Sequence, residues 1–163
     1  MTRWVPKRRL MVSGSRTILD PLFVKKCLDE IKKTFDFDCL IHGGAVGVDM
    51  AAGSYADFNK IPVKVFKPEW NKYGKVAGIW RNLEMIKSCD KGIVIWDGSS
   101  RGSKHAKYEL QRAGKLLKVF YYNGDESKCQ DCGSKIILIK YIGDNEGYHY
   151  VCSSCHRIYD NNL

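Results

Sequence analysis

Four cysteines near the C-terminal end carry the most specific chemistry in the chain. Cys129 and Cys132 are two residues apart, Cys152 and Cys155 likewise, and nineteen residues separate the pairs. Two intervening residues let both thiolates of a knuckle turn toward one ion, so the set has the spacing of a tetrahedral four-cysteine site for a structural Zn2+. Gly133 suits the tight turn after the first pair. Residues 136–142 and 148–151 read as strands joined by 143–147, which completes a zinc-ribbon β module. Cys152-Ser-Ser-Cys155-His156 also matches the haem-attachment pattern, but that chemistry requires export and leaves Cys129 and Cys132 without a role. A ribbon of about 35 residues is too small to fold well alone, and the metal supplies its folding energy.

A second set of residues suits anion binding. Three small-residue turns each follow a short apolar run. They are Ser13-Gly14-Ser15-Arg16, His42-Gly43-Gly44-Ala45-Val46-Gly47-Val48-Asp49 and Asp97-Gly98-Ser99-Ser100-Arg101-Gly102-Ser103. The latter two open helices, where free backbone N–H groups and the positive dipole end attract phosphate. The spacing is neither the dinucleotide fingerprint nor a Walker loop, because no Gly-Lys-Ser/Thr follows. Asp49 either complements the dipole in the first turn of its helix or meets a ligand sugar hydroxyl. Gly74, Gly78, Arg81, Asn82 and Met85 recur at helical steps and share one face. Gly78 costs about 1 kcal/mol in a helix, which asks for close approach of a ligand or of neighbouring backbone. Arg81 and Asn82 would then hold an anion and a base or sugar edge. Arg16, Arg81 and Arg101 suit bidentate phosphate clamping. For catalysis the candidates are Arg81 and Glu84; His42 and His105 suit proton transfer but have no partner visible in the sequence.

Positioning these residues requires a scaffold, and the hydropathy pattern supplies one. Apolar runs at 10–12, 39–41, 63–66, 93–96 and 117–121 are strand-length and continuous, as expected for strands buried on both faces. Helical stretches lie between them at 21–35, 46–59, 75–88 and 103–114. Asp20-Pro21 is a helix start, with Asp at the cap and Pro at the first helical position. Five strands alternating with four helices predict an α/β, Rossmann-like doubly wound parallel sheet over residues 1–122. The ribbon then occupies 123–163. In such sheets ligands bind beyond the carboxyl ends of the strands, where the three turns lie.

These segments resemble a known family. The residues that carry the likeness are Ser13-Gly-Ser-Arg16, Gly43-Gly-Ala-Val-Gly-Val-Asp49, Trp70 through Gly74-Lys75-Val-Ala-Gly78, Arg81-Asn-Leu-Glu-Met85 and Trp96-Asp-Gly-Ser-Ser-Arg-Gly102, in that order. They resemble the YspA-type, cpYpsA-related branch of the SLOG superfamily over about residues 8 to 122. The resemblance implies a Rossmann-like fold, a nucleotide or nucleotide-derived ligand and self-association. It also implies a pocket lined by Ser13, Gly14, Arg16, Gly43, Gly44, Gly47, Asp49, Arg81, Asn82, Gly98 and Arg101, to which the three turns and the helix segment add Ser15, Lys75, Gly78, Asp97, Ser99, Gly102 and Ser103 as candidate binding residues. Related phosphoribohydrolases cleave nucleoside-monophosphate N-glycosidic bonds with a Gly-Gly-x-Gly-Thr-x-x-Glu motif. Here Ala106 stands at the glutamate position, which weakens hydrolysis as an activity. DprA-like relatives bind single-stranded DNA.

Charge bears on the partner. The chain carries a net +9. Residues 1–122 hold 23 basic and 12 acidic residues, and residues 123–163 hold 4 and 6. The basic excess therefore belongs to the larger segment and favours anionic partners, although a pair such as Lys32 and Lys33 reads equally as a solvated surface. Acidity and four thiolates disfavour nucleic acid at the ribbon, which suits a structural or protein–protein role with Tyr141, Tyr148 and Tyr150 as contact or core. Cys27, Cys39 and Cys89 read as buried apolar residues. No apolar run approaches the ~20 residues of a membrane span, and no signal core follows the basic start, so a cytoplasmic protein is expected. The leading expectation is a nucleotide-ligand sensor or sequestering module. The alternatives are a nucleotide N-glycoside hydrolase and, third, a single-strand nucleic-acid binder.

Overall fold

A computed structural model describes residues 3, 5–122, 128–141 and 147–159, with side chains omitted at 138–141 and 147–149. The expected segment boundary at 122/123, Ile142, the turn 143–146 and the side chains of Tyr141 and Tyr148 lie outside what is described.

Five strands form one parallel sheet: β1 (Arg9–Gly14), β2 (Cys39–His42), β3 (Val63–Val65), β4 (Lys91–Trp96) and β5 (Leu116–Tyr121), in the order β3-β2-β1-β4-β5. The helices between them are α1 (Pro21–Thr34), α2 (Val48–Phe58), the short α3 (Trp70–Tyr73), α4 (Ala77–Ser88) and α5 (Arg101–Arg112). A 3-10 turn over Gly74–Val76 joins α3 to α4, so the helix expected from residue 75 begins two residues later and Gly74 falls outside it. Asp20 caps α1 as the sequence predicts, its carboxylate accepting from the Phe23 N–H at 3.0 Å.

Side chains alternate across the central strands, as the period of two requires. Leu10 and Val12 of β1 pack with Val24, Leu28, Val48 and Ala52 from α1 and α2. Met11, on the opposite face of the same strand, packs with Met85, Ile86, Ala106 and Leu110 from α4 and α5. Two helices thus cover each face. The expectation of strands buried on both sides holds for β1, β2 and β4. It fails for β3, whose three residues are all exposed, and for most of β5. Both are edge strands with a neighbour on one side only, and apolar residue type does not reveal edge position. The chain winds outward from β1 to β3, then returns to lay β4 against the other side of β1. The crevice of such a sheet opens where that reversal occurs, between the carboxyl ends of β1 and β4.

The C-terminal strands β6 (Ile136–Tyr141), β7 (Gly147–Cys152) and β8 (Ile158–Tyr159) form a separate antiparallel sheet in the order β6-β7-β8. Ile136, Tyr150 and Tyr159 bury themselves around Cys129 and Cys152, and Leu22 of α1 completes that cluster. No helix among the described residues is long and apolar enough to cross a membrane.

Candidate functional site

The loops after β1 and β4 are tied together at the crevice. Ser15 continues the strand pairing by donating its N–H to the Ile95 carbonyl at 3.0 Å. The Ser15 and Ser100 hydroxyls share a 2.7 Å hydrogen bond, and the Asp97 N–H donates to Ser15 Oγ at 3.0 Å. Asp97 accepts from the Thr17 hydroxyl at 2.6 Å and from the N–H groups of Ser99 and Ser100, each at 2.9 Å. These bonds, the Thr17 hydroxyl foremost, hold its carboxyl well below the ordinary range. Asp97 therefore closes two loops on one carboxylate.

Beneath these loops lie two adjoining cavities. One, of about 270 Å³, is lined by residues 13–17, Ala45, Asp49, Arg81, Asn82, Met85, Ser100, Gly102 and Ser103. The other, of about 240 Å³, is walled by Trp70, Lys75, Gly78, Ile79, Arg101 and His105. Arg16, Arg81, Asn82 and Gly102 border both, so the two form one cleft with four cationic side chains around it. Gly78 and Gly102 face open space, with nothing within 4 Å of where a Cβ would stand. No neighbouring backbone approaches Gly78, so of the two reasons expected for it close backbone packing does not hold. Ser103 is 3% exposed, and among the described residues its hydroxyl is the one buried side-chain polar atom without a hydrogen-bond partner. Such a group ordinarily finds a partner.

Arg81 is held by a chain of hydrogen bonds across the cleft. Its Nη1 donates to the Gly43 carbonyl at 2.7 Å and its Nε to Asn82 Oδ1 at 3.1 Å. Asn82, itself buried, donates from Nδ2 to His105 Nδ1 across 3.4 Å, while His105 Nε2 lies 4.0 Å from Glu109. A Cβ on Gly43 would collide with the Arg81 guanidinium, so this glycine makes room for the arginine. Gly47 sits at φ +82°, and a Cβ there would stand 2.7 Å from the Ser15 carbonyl. Asp49 Oδ2 accepts the N–H groups of Gly43 at 3.1 Å and Ala45 at 3.2 Å, folding the glycine turn around its carboxylate. Burial raises the Asp49 pKa to about 6, against the opposing pull of those N–H groups and of Arg81. His42 is buried behind the turn, where Nδ1 accepts from the Gly44 N–H at 2.9 Å. Burial and Arg81 together lower its pKa.

Of the expected binding residues, Ser13, Gly14, Ser15, Arg16, Asp49, Lys75, Gly78, Arg81, Asn82, Arg101, Gly102 and Ser103 line the cleft. Gly43, Gly44, Gly47, Asp97, Gly98 and Ser99 do not; they shape the turns around it. Glu84 lines neither cavity of the cleft; it borders a small recess with Tyr73, Trp80 and Arg81. Asp49 is the sole carboxylate lining the cleft among the described residues. Sequence reasoning missed Thr17, Ser100, Trp70, Ile79 and the His105–Asn82 contact. Adjacency to Arg16 and the helix-capping position were signals for Thr17 and Ser100; a contact across 23 residues left none. Two larger cavities, of about 390 and 480 Å³, exist elsewhere, and of the expected binding residues only Gly47 borders either.

The four cysteines converge as expected. Their sulfurs lie within 4.8 Å of one another, with Cys129–Cys155 at 3.5 Å and Cys132–Cys152 at 3.4 Å. A disulfide needs ~2.05 Å, whereas the edges of a tetrahedron with ~2.3 Å metal–sulfur bonds are ~3.8 Å. The Ser154 and Cys155 N–H groups both donate to Cys152 Sγ at 3.4 Å, and Gly133 follows the first knuckle at φ +71°. The donor set and its spacing fit a tetrahedral thiolate site.

Residues 8–73 match the family described as YspA, cpYpsA-related SLOG. The Gene 61 protein of Mycobacterium phage D29 is 34% identical over 115 residues, which span 66% of this chain and 91% of the phage protein. No solved structure matches the chain.

Proposed function

Because the chain belongs to the YspA, cpYpsA-related SLOG family, we propose that it binds a nucleotide or nucleotide-derived phosphorylated ligand at the carboxyl edge of its parallel sheet. In this reading it is a sensor or sequestering module, and its four cysteines hold a structural Zn2+. One observation carries the ligand reading. The Ser103 hydroxyl is buried without a partner in the cavity wall, in the first turn of α5 and beside Arg16 and Arg81. A phosphate oxygen would accept from that hydroxyl and from the helix N-terminus while its charge meets the guanidinium groups. The neighbouring cavity, with Trp70 and Ile79 in its wall, offers apolar surface for a base.

Binding is favoured over hydrolysis by the position of the carboxylates. Glu84 stands outside the cleft, and Asp49 has one oxygen committed to the Gly43 and Ala45 N–H groups. For the cysteines, four thiolates this close repel one another strongly, and a dication removes that cost while supplying folding energy. Native mass spectrometry of freshly purified protein tests both parts: one zinc per chain and a co-purified nucleotide-sized mass are expected. Calorimetry against adenine nucleotides, ADP-ribose and cyclic nucleotides follows, with Arg81→Ala expected to abolish any heat found. An empty cleft together with silence across the panel overturns the ligand reading; a metal-free chain overturns the zinc reading.

A further inference from the structure

Strand β8 is only two residues long, yet it reaches back to the first cysteine knuckle in two ways. The Tyr159 hydroxyl donates to Cys129 Sγ at 3.1 Å, with both residues buried, and accepts the Gln130 N–H at 3.1 Å. Beside it the Arg157 guanidinium pairs with Asp131 at 2.5 Å and lies 5.5 Å from the Tyr159 ring centroid. Strand pairing does not require either contact, because the β8 ladder runs to Tyr150 and Val151 of β7. A buried phenol needs an acceptor, and here the acceptor is a sulfur of the metal-binding set. An O–H···S bond withdraws charge from a thiolate, which steadies the anion and fixes its lone-pair direction, as outer-shell partners do for metal ligands.

We propose that Tyr159 is a positioning residue of the metal centre, holding Cys129 as an oriented thiolate through its hydroxyl. The inference rests on the reading of the four cysteines as a metal site. Tyr150 offers an internal comparison, since it is buried in the same cluster and its hydroxyl makes no bond to a cysteine sulfur among the described residues.

The test uses the full chain loaded with Co2+, whose sulfur-to-metal charge-transfer absorption reports thiolate donor strength. Tyr159→Phe should move that band to lower energy, because the sulfur regains the charge its hydrogen bond had withdrawn. Metal transfer to a chromophoric chelator should become about 10- to 100-fold more favourable, the usual effect of losing an outer-shell partner. Tyr150→Phe should leave the band in place whatever it does to stability. Replacing all tyrosines with 3-fluorotyrosine keeps the packing and strengthens the phenol as a donor, so the band should move the other way. That arm stands even where Tyr159→Phe fails to fold. A band unmoved by both changes overturns the inference while leaving the metal site standing. A wild-type chain that takes up neither Co2+ nor Zn2+ overturns the metal site and the inference with it.

Discussion

The four-cysteine module and the edge of the parallel sheet are both built from turns, but they are assembled at different ranges. In the module the chemistry is local to two four-residue knuckles, which the Zn2+ we propose there would draw together. At the sheet edge the cleft is gathered from segments far apart in the chain, running from Ser13 to His105, and strand order brings them side by side. The proposed ion would supply part of the module's order, whereas hydrogen bonds within the protein hold the cleft. Arg81 on the Gly43 carbonyl and Asp97 on Thr17, Ser99 and Ser100 are among them.

Chelation should separate the two most sharply. A structural zinc of this type contributes roughly 10 kcal/mol or more to the folding of a small module. Stripping the metal, or Cys152→Ser, is expected to expose residues 128–159 to proteolysis while residues 9–121 stay protected. Leu22 would lose its cover, so a small drop in the melting temperature of the sheet domain should accompany the loss. Protection of 128–159 that survives chelation would break the contrast and assign the module's order to packing on α1.

The glycines divide the cleft in a similar way, with some serving the turn and others leaving space. Gly47→Ala places a methyl 2.7 Å from the Ser15 carbonyl and 2.8 Å from that of Arg16, at φ +82°. Neither backbone group can give way, and a loss of about 3 kcal/mol in chemical denaturation is expected. Gly43→Ala runs into the Arg81 guanidinium, which can swing aside at a cost of about 2 kcal/mol. The second change should also release Arg81 from its carbonyl and so weaken ligand binding. Equal losses from the two would mean that Arg81 is as rigid as backbone.

Most of the scaffold was legible in the sequence, because strand and helix periods and caps are local signals. The four sheet helices start within two residues of expectation, and Gly78, Arg81, Asn82 and Met85 do share one face toward the cleft. The cysteine site was legible for the same reason. What stayed hidden depends on contacts between distant segments. Nothing near Gly43 announces that its missing side chain accommodates Arg81, 38 residues away. Thr17 and Asp97 meet across 80 residues, and the exposure of β3 follows from its place in the sheet rather than from its valines and lysine. Within the turns, residue type accordingly did not separate those that line the cleft, such as Ser15, from those that fold the turn, such as Gly43 and Gly47.

Asp49 sharpens the contrast through pH. With the folded pKa raised to about 6 and an unfolded value of ~3.9, the folded chain retains a proton between these values that the unfolded chain has released. Stability from this group therefore falls as pH rises from about 4 to 6, by an order of magnitude of 2–3 kcal/mol, and stays lower above. His42 works in the opposite sense, since its depressed pKa makes stability fall as pH drops below about 6.5. Asp97, held low, acts only at more acid pH, where its stabilisation is lost. The difference between wild type and Asp49→Asn, followed by denaturation from pH 4 to 7, isolates the Asp49 contribution. Parallel curves for the two proteins would show that Asp49 ionises freely.

The smallest expected stability change comes from Gly102→Ala, and there the cleft should respond differently from its turns. A methyl at Gly102 meets nothing within 4 Å, and alanine is the better helix former in the first turn of α5. Stability should change by no more than about 0.5 kcal/mol, in the favourable direction. The same methyl would project into the space that both cavities share beside Ser103, so affinity for the proposed nucleotide should fall at least about tenfold, a cost of about 1.4 kcal/mol. Gly78→Ala, on the facing helix, should behave likewise. A pair of alanine variants that fold as well as the wild type but lose the ligand would separate these glycines from Gly43 and Gly47, whose replacement costs the fold first. Unchanged affinity in both variants would move the ligand away from the gap between α4 and α5, toward the side of the cleft formed by residues 13–17.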